Sequence, residues 1–170
     1  MGRQKIMKKK RNKIGKTAMV AMVSGLYVAI SLLLSALSFG IIQVRFAEMF
    51  NHMQSFNKKY IAAVVVGCAI TNMFSPFGIV DVIWGSATTA FFLWLSYKIG
   101  KNIKSVKKRL VVNTLIFGFL GMIPVALELN VMVSAPLIPT YLICLLGELV
   151  SMTVGGVIIY LLSKRIDLTQ

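Results

Sequence analysis

The chain has 170 residues, 57 % apolar and 14 % charged, with 19 Lys+Arg against 5 Asp+Glu and a formal net charge of +14. Ordinary soluble domains are roughly 45–50 % apolar and about 25 % charged, and a domain of this length cannot hide so much apolar chain from water. With a mean hydropathy of +0.79, soluble, disordered, collagen-like and coiled-coil classes are excluded. A bilayer is the natural solvent.

Residues 1–16 carry eight of the basic residues: Arg3, Lys5, Lys8, Lys9, Lys10, Arg11, Lys13 and Lys16. This stretch reads as a flexible cytoplasmic arm on anionic headgroups. Gly15-Lys16-Thr17 imitates the end of a P-loop, but Lys10 occupies the position that needs the first glycine. The apolar run that follows is too long for a signal peptide and is read as a retained helix over 17–38. Its Thr17, Ala21, Gly25 and Ala29 recur every four residues. Such a small-residue stripe permits close helix approach, either to another helix of this chain or to a separate membrane protein.

Hydropathy alone finds five runs. Lys58-Lys59 and the 98–109 cluster then fall on the wrong side of the membrane for a positive-inside topology. A short amphipathic second helix over 40–57 restores the rule, leaving only Arg45 toward the outside. The remaining spans are expected over 60–76, 82–97, 110–127 and 137–162. The sequence thus predicts an all-α integral protein of the cell membrane. It has one six-helix domain over 17–163, both termini in the cytoplasm and a tail at 164–170. Ser75-Pro76-Phe77-Gly78 reads as a turn closing the third helix. Pro136 and Pro139 suit the first turn of the sixth. Pro124 is expected to kink or end the fifth.

The basic residues punctuate apolar runs and build no folded basic face, which argues against nucleic acid. Cys68 and Cys144 sit inside apolar runs, so neither a disulfide framework nor a zinc cluster is indicated. No enzyme signature and no metal or cofactor motif is present.

Ionisable groups within a span cost about 2.5–3.5 kcal/mol each on insertion scales and mark sites or pathways. Glu48, Asp81 and Glu128 fall toward the outer side and Glu148 near mid-depth, with Gln43, Arg45, Asn51 and Asn72 adding polar groups. Arg45, Glu48 and His52 share one face of an α-helix. That face is either a self-neutralising ion pair inside a bundle or one wall of a ligand pocket. His52, near the inner end, reads as structural. Glu148, beside Gly147, reads as a close-approach acid or a buried hydrogen-bonded one. Trp84, one turn below Asp81, is placed to stack on a flat ligand. Asn51 and Asn72 are open between structural and ligand roles.

The stretches Phe39–Glu48, Gly67–Ser86 and Gly147-Glu148-Leu149, with their Gln-x-Arg-x-x-Glu and Asn-x-x-Ser-Pro-x-Gly-x-x-Asp strings, resemble the QueT family. These are substrate-binding S components of energy-coupling factor (ECF) transporters linked to queuosine-precursor uptake. The resemblance covers nearly all of the chain after the basic arm. It implies a six-helix S-component fold that captures a deazaguanine-type base from outside. It also implies, on other chains, a transmembrane coupling subunit and two ATPases, with the stripe of Ala21, Gly25 and Ala29 docking on the coupling subunit. The candidate substrate-binding set is Gln43, Arg45, Glu48, Asn72, Asp81, Trp84 and Glu148. Glu128, beside the outer 128–136 loop, is not assigned to it. The alternatives are an S component for another vitamin-like solute, a stand-alone proton-coupled carrier and a membrane interaction protein using its basic arm.

Overall fold

The structure, a computed structural model, describes residues 2–35 and 45–169. Gln43 therefore lies outside the described residues. The elements run α1 (Gly2–Leu33), a 3₁₀ helix (Phe46–Ser55), α2 (Lys59–Asn72), α3 (Ile79–Gly100), α4 (Val106–Val133) and α5 (Leu137–Leu162). No strand occurs among the described residues. α3, α4 and α5 are long and apolar enough to cross a membrane, and Thr17–Leu33 and Lys59–Asn72 are shorter apolar helices. Residues 2–16, expected as a flexible arm, are helical and continuous with the first apolar run.

The second helix differs most from expectation. It is a ten-residue 3₁₀ helix rather than an α-helix. At about 2.0 Å rise per residue, ten residues cover roughly 20 Å. Its period is 3.0, which sorts the side chains into three vertical rows. Ala47, Phe50 and Met53 form the apolar row and join the core with Val23 and Tyr27 of α1. The Tyr27 and Phe50 ring centroids are 6.3 Å apart. Met49 and His52 form a second row against Gly155 and Gly156 of α5. Glu48, Asn51 and Gln54 form the third. His52 thus leaves the face of Arg45 and Glu48, because seven residues return to the same side only at the α-helical period. Eight of the ten residues of this helix are buried, so it is the central pillar of the bundle.

Around it, α1 packs along α2, with the Ser24 hydroxyl donating to the Ala63 carbonyl at 2.7 Å. Interhelical hydrogen bonds of this kind average about 0.6 kcal/mol in a bilayer. The Ala21, Gly25 and Ala29 stripe lies on the opposite, exposed side of α1. Internal packing of that stripe, one of its two readings, is therefore overturned.

Pro124 neither ends nor visibly breaks α4, which continues to Val133. A π-helical segment, Ile116–Gly121, immediately precedes it. Phe119 lies within that segment. The Tyr141 hydroxyl of α5 donates to the Phe119 carbonyl at 3.0 Å. A backbone carbonyl of the π-helical segment thus accepts a hydrogen bond from a neighbouring helix.

The basic clusters gather at one end of the bundle. Lys107 and Lys164 flank Tyr160, and Lys58, Lys101 and Arg109 line one cavity. Asn72, Asp81 and Glu128 lie together at the other end.

A Cβ at Gly155 would fall on the Met49 backbone, whereas one at Gly25 would meet nothing. Gly155→Ala should therefore lower stability by about 1–3 kcal/mol through overpacking. Gly25→Ala should leave stability unchanged or raise it by up to about 1 kcal/mol through helix propensity. Thermal melting of the two variants in detergent checks the opposite signs.

Candidate functional site

Four elements converge on a cavity at the end away from the basic clusters. The 3₁₀ helix contributes Arg45, at its N-cap, and Glu48. The last residue of α2 contributes Asn72, the first turn of α3 Asp81, and α4 Glu128. Phe92 and Phe117, with ring centroids 6.2 Å apart, close its apolar side.

Each polar group is held by neighbours. The Glu48 carboxylate accepts from the Tyr27 hydroxyl at 2.9 Å on Oε1 and from the Asn51 side-chain amide on Oε2. Asn51 lies one 3₁₀ turn below Glu48, so the local helix type creates that bond. Arg45 lies within electrostatic reach of Glu48 and Asp81. Asn72 donates from Nδ2 to the Asp81 backbone carbonyl at 2.9 Å and contacts Cys68 Sγ at 3.5 Å. This approach requires Gly85, since a Cβ there would collide with the Asn72 amide. Asp81 accepts from the Ser75 hydroxyl, within the turn between α2 and α3. Glu128 lines the same cavity beside Asp81, and its Oε1 is buried with no hydrogen-bond partner among the described residues.

Arg45, Glu48, Asn72 and Asp81 thus share one cavity, and Glu128 joins them although the sequence analysis left it unassigned. Its signal was weak because an acid at the last turns of a helix reads alike whether it faces the bundle or the surface. Tyr27 and Asn51, which grip Glu48, were likewise not assigned to the site. Trp84 is not part of the lining. It is 43 % exposed, and its indole N–H donates to the Pro124 carbonyl at 3.0 Å. Glu148 also lies outside the lining. It is fully buried on α5, within electrostatic reach of Glu48 and Arg45, with neither carboxyl oxygen hydrogen-bonded among the described residues.

The cavity measures about 30 Å³, room for about one water. Small-molecule sites measure about 300–1,000 Å³, so a ligand enters only if the wall opens.

A second polar cluster sits below it. His52 donates from Nε2 to the Met152 carbonyl at 2.8 Å and accepts on Nδ1 from the Asn113 amide at 3.2 Å. Asn113 Oδ1 in turn accepts from Ser96 at 2.6 Å and Gln54 at 3.3 Å. This arrangement fits the neutral Nε2–H tautomer and ties the 3₁₀ helix to α3, α4 and α5. His52 is a cross-brace here rather than part of the cavity. Among the described residues no three His, Cys, Asp or Glu side chains gather to hold a metal.

Apolar helices of membrane length around a buried, carboxylate-lined chamber define a multi-pass membrane protein of the kind that handles small polar solutes. The model of the QueT transporter family matches residues 17–164. A curated relative from Lactococcus lactis subsp. cremoris (strain MG1363), the queuosine precursor transporter QueT, is 36 % identical over 170 residues, covering 95 % of this chain and 99 % of the relative. The chain belongs to the QueT transporter family, and is a membrane transporter of a small molecule rather than an enzyme. No solved structure matches it.

Replacing His52 by Ala strands the buried Asn113 amide and leaves the space of the fully buried ring empty, and should cost about 2–3 kcal/mol. Glu148→Gln removes no hydrogen bond and should cause no loss. Melting of both variants in the same detergent tests the contrast.

Proposed function

We propose that this chain is the substrate-binding S component of an ECF-type importer that captures a queuosine precursor, a deazaguanine-type base, from outside the cell. Energy then comes from a separate transmembrane coupling subunit and two ATPases. The observation that carries this reading is the convergence of Arg45, Glu48, Asn72, Asp81 and Glu128 on one chamber, in a family member whose relative bears that substrate in its name.

The chemistry is complementary. A guanine-like edge presents adjacent N–H donors, which a carboxylate accepts in a bidentate manner. Glu48, oriented by Tyr27 and Asn51, suits that edge. Arg45 and Asn72 are donors for a ring carbonyl. The Asp81–Glu128 pair offers the negative charge that an aminomethyl cation requires. Phe92 and Phe117 supply apolar surface for a flat ring. Glu148 becomes a ligand group only if opening the chamber extends it toward α5, and Gln43 remains a candidate by its place in the motif. Both termini are cytoplasmic in this reading. The exposed face bearing Ala21, Gly25 and Ala29 meets the coupling subunit, because small side chains let a second protein's helix approach closely.

A second reading, a stand-alone proton-coupled carrier, is favoured by one observation: buried carboxyl oxygens of Glu148 and Glu128 have no hydrogen-bond partner among the described residues. Proteoliposomes containing this chain alone, under a pH gradient without ATP, should show no uptake; uptake there would replace the importer reading.

Purified protein should bind a 7-deazaguanine such as 7-aminomethyl-7-deazaguanine, measured by titration calorimetry. Glu48→Gln and Asp81→Asn should each weaken binding at least about ten-fold, or 1.4 kcal/mol. No binding by the intact protein rejects the substrate, and a thermal-shift panel of vitamin-like solutes then identifies the replacement. Topology is tested separately in a cysteine-free background. A cysteine at Lys104 should react with membrane-impermeant maleimide only after cell lysis, and one at Ala135 in intact cells.

A further inference from the structure

The basic end of the bundle holds a larger polar cavity, about 390 Å³. It lies where the 3₁₀ helix ends, α2 begins, α3 ends and α4 begins. Lys58, Lys101 and Arg109 line it together with Gln54, Asn57 and Tyr97, and no Asp or Glu is among its lining residues. Lys98, Lys107 and Lys164 lie over the rings of Trp94 and Tyr160. Lys58, Lys101 and Arg109 line the cavity instead.

Two further observations give the cavity a charge preference. A helix N-terminus carries about half a positive charge and favours anions. Yet α2 and α4, which both begin here, have no acid in their first turns, and α4 opens with Lys107, Lys108 and Arg109. The cations of the cavity therefore add to the positive ends of two helices, a combination that favours an anion. In addition, Arg109 is fixed in place. Its Nη1 donates to the Ser55 carbonyl, its stem packs beside Gly100, and its buried Nε has no hydrogen-bond partner among the described residues.

We infer that this cavity binds a phosphate-bearing anion, either the headgroup of an anionic lipid or free phosphate. One guanidinium and two ammonium groups around a concave polar wall match the oxygens of a phosphate, and basic pockets between transmembrane helices recognise phosphate headgroups in this way. The site is separate from the carboxylate chamber and does not depend on what that chamber binds.

The test uses the full chain purified in dodecylmaltoside. Its melting temperature is followed against dihexanoyl-phosphatidic acid, dihexanoyl-phosphatidylcholine and sodium phosphate at constant ionic strength. Phosphatidic acid should raise the melting temperature saturably, and phosphatidylcholine should not. The double variant Lys58→Ala/Lys101→Ala should raise the half-saturating concentration at least five-fold, and Lys98→Ala/Lys104→Ala, which removes equal charge outside the cavity, less than two-fold. If sodium phosphate reproduces the shift, the ligand is the free anion. If only phosphatidic acid acts, it is a lipid; either result supports the site. Equal weakening by the two double variants, an equal response to phosphatidylcholine, or no response to either phosphate source overturns it. Should the first double variant fail to fold, Lys101→Ala alone, with phosphatidic acid retention counted by native mass spectrometry, carries the same comparison.

Discussion

A short 3₁₀ helix buried on all its faces is the constraint on which the rest of this structure depends. A 3₁₀ segment of ten residues is uncommon, because its hydrogen bonds are poorer than those of an α-helix and its side chains eclipse every third position. Here the eclipsing is put to use. One row feeds the hydrophobic core, one lies against the glycines of α5, and one stacks Glu48 over Asn51 and Gln54. An α-helix of the same residues would spread the third row around the cylinder and separate Glu48 from the amide that holds it.

The same helix links three polar zones that differ in kind. Glu48 faces the carboxylate chamber at one end. His52 and Gln54 enter a hydrogen-bond network with Asn113 and Ser96 in the middle. Ser55 lends its carbonyl to Arg109 at the other end. The middle network has its donors and acceptors matched at His52 and Asn113, as buried polar groups in an apolar bundle require. The chamber is different: it accumulates carboxyl groups whose partners are few, and Glu148 beside it has none among the described residues. Ionisable groups at membrane depth are expensive to bury and commonly mark sites or pathways.

Backbone satisfaction shapes the lipid-facing half. α4 continues through Pro124, after a π-helical segment whose Phe119 carbonyl accepts from a tyrosine of α5. Trp84 answers the Pro124 carbonyl from the other side. The tryptophan that looked placed to stack on a ligand therefore donates to the backbone of a neighbouring helix.

The amino-acid order by itself determined the solvent and the parts. Long uncharged runs separated by lysine clusters leave a chain no low-energy home except a bilayer, and an acid or arginine at membrane depth stands out because burying it is expensive. Arg45, Glu48, Asn72 and Asp81 were legible for that reason. Only the tertiary structure decided which of these groups meet. Whether a helix end turns Glu128 inward, whether Trp84 faces a chamber or a carbonyl, and whether Tyr27 of one helix reaches Glu48 of another depend on contacts far apart in the chain. The period of the second helix was decided there too. Its residues fit either an α or a 3₁₀ spacing locally, and packing against the two glycines of α5 and the core face of α1 selects the tighter one.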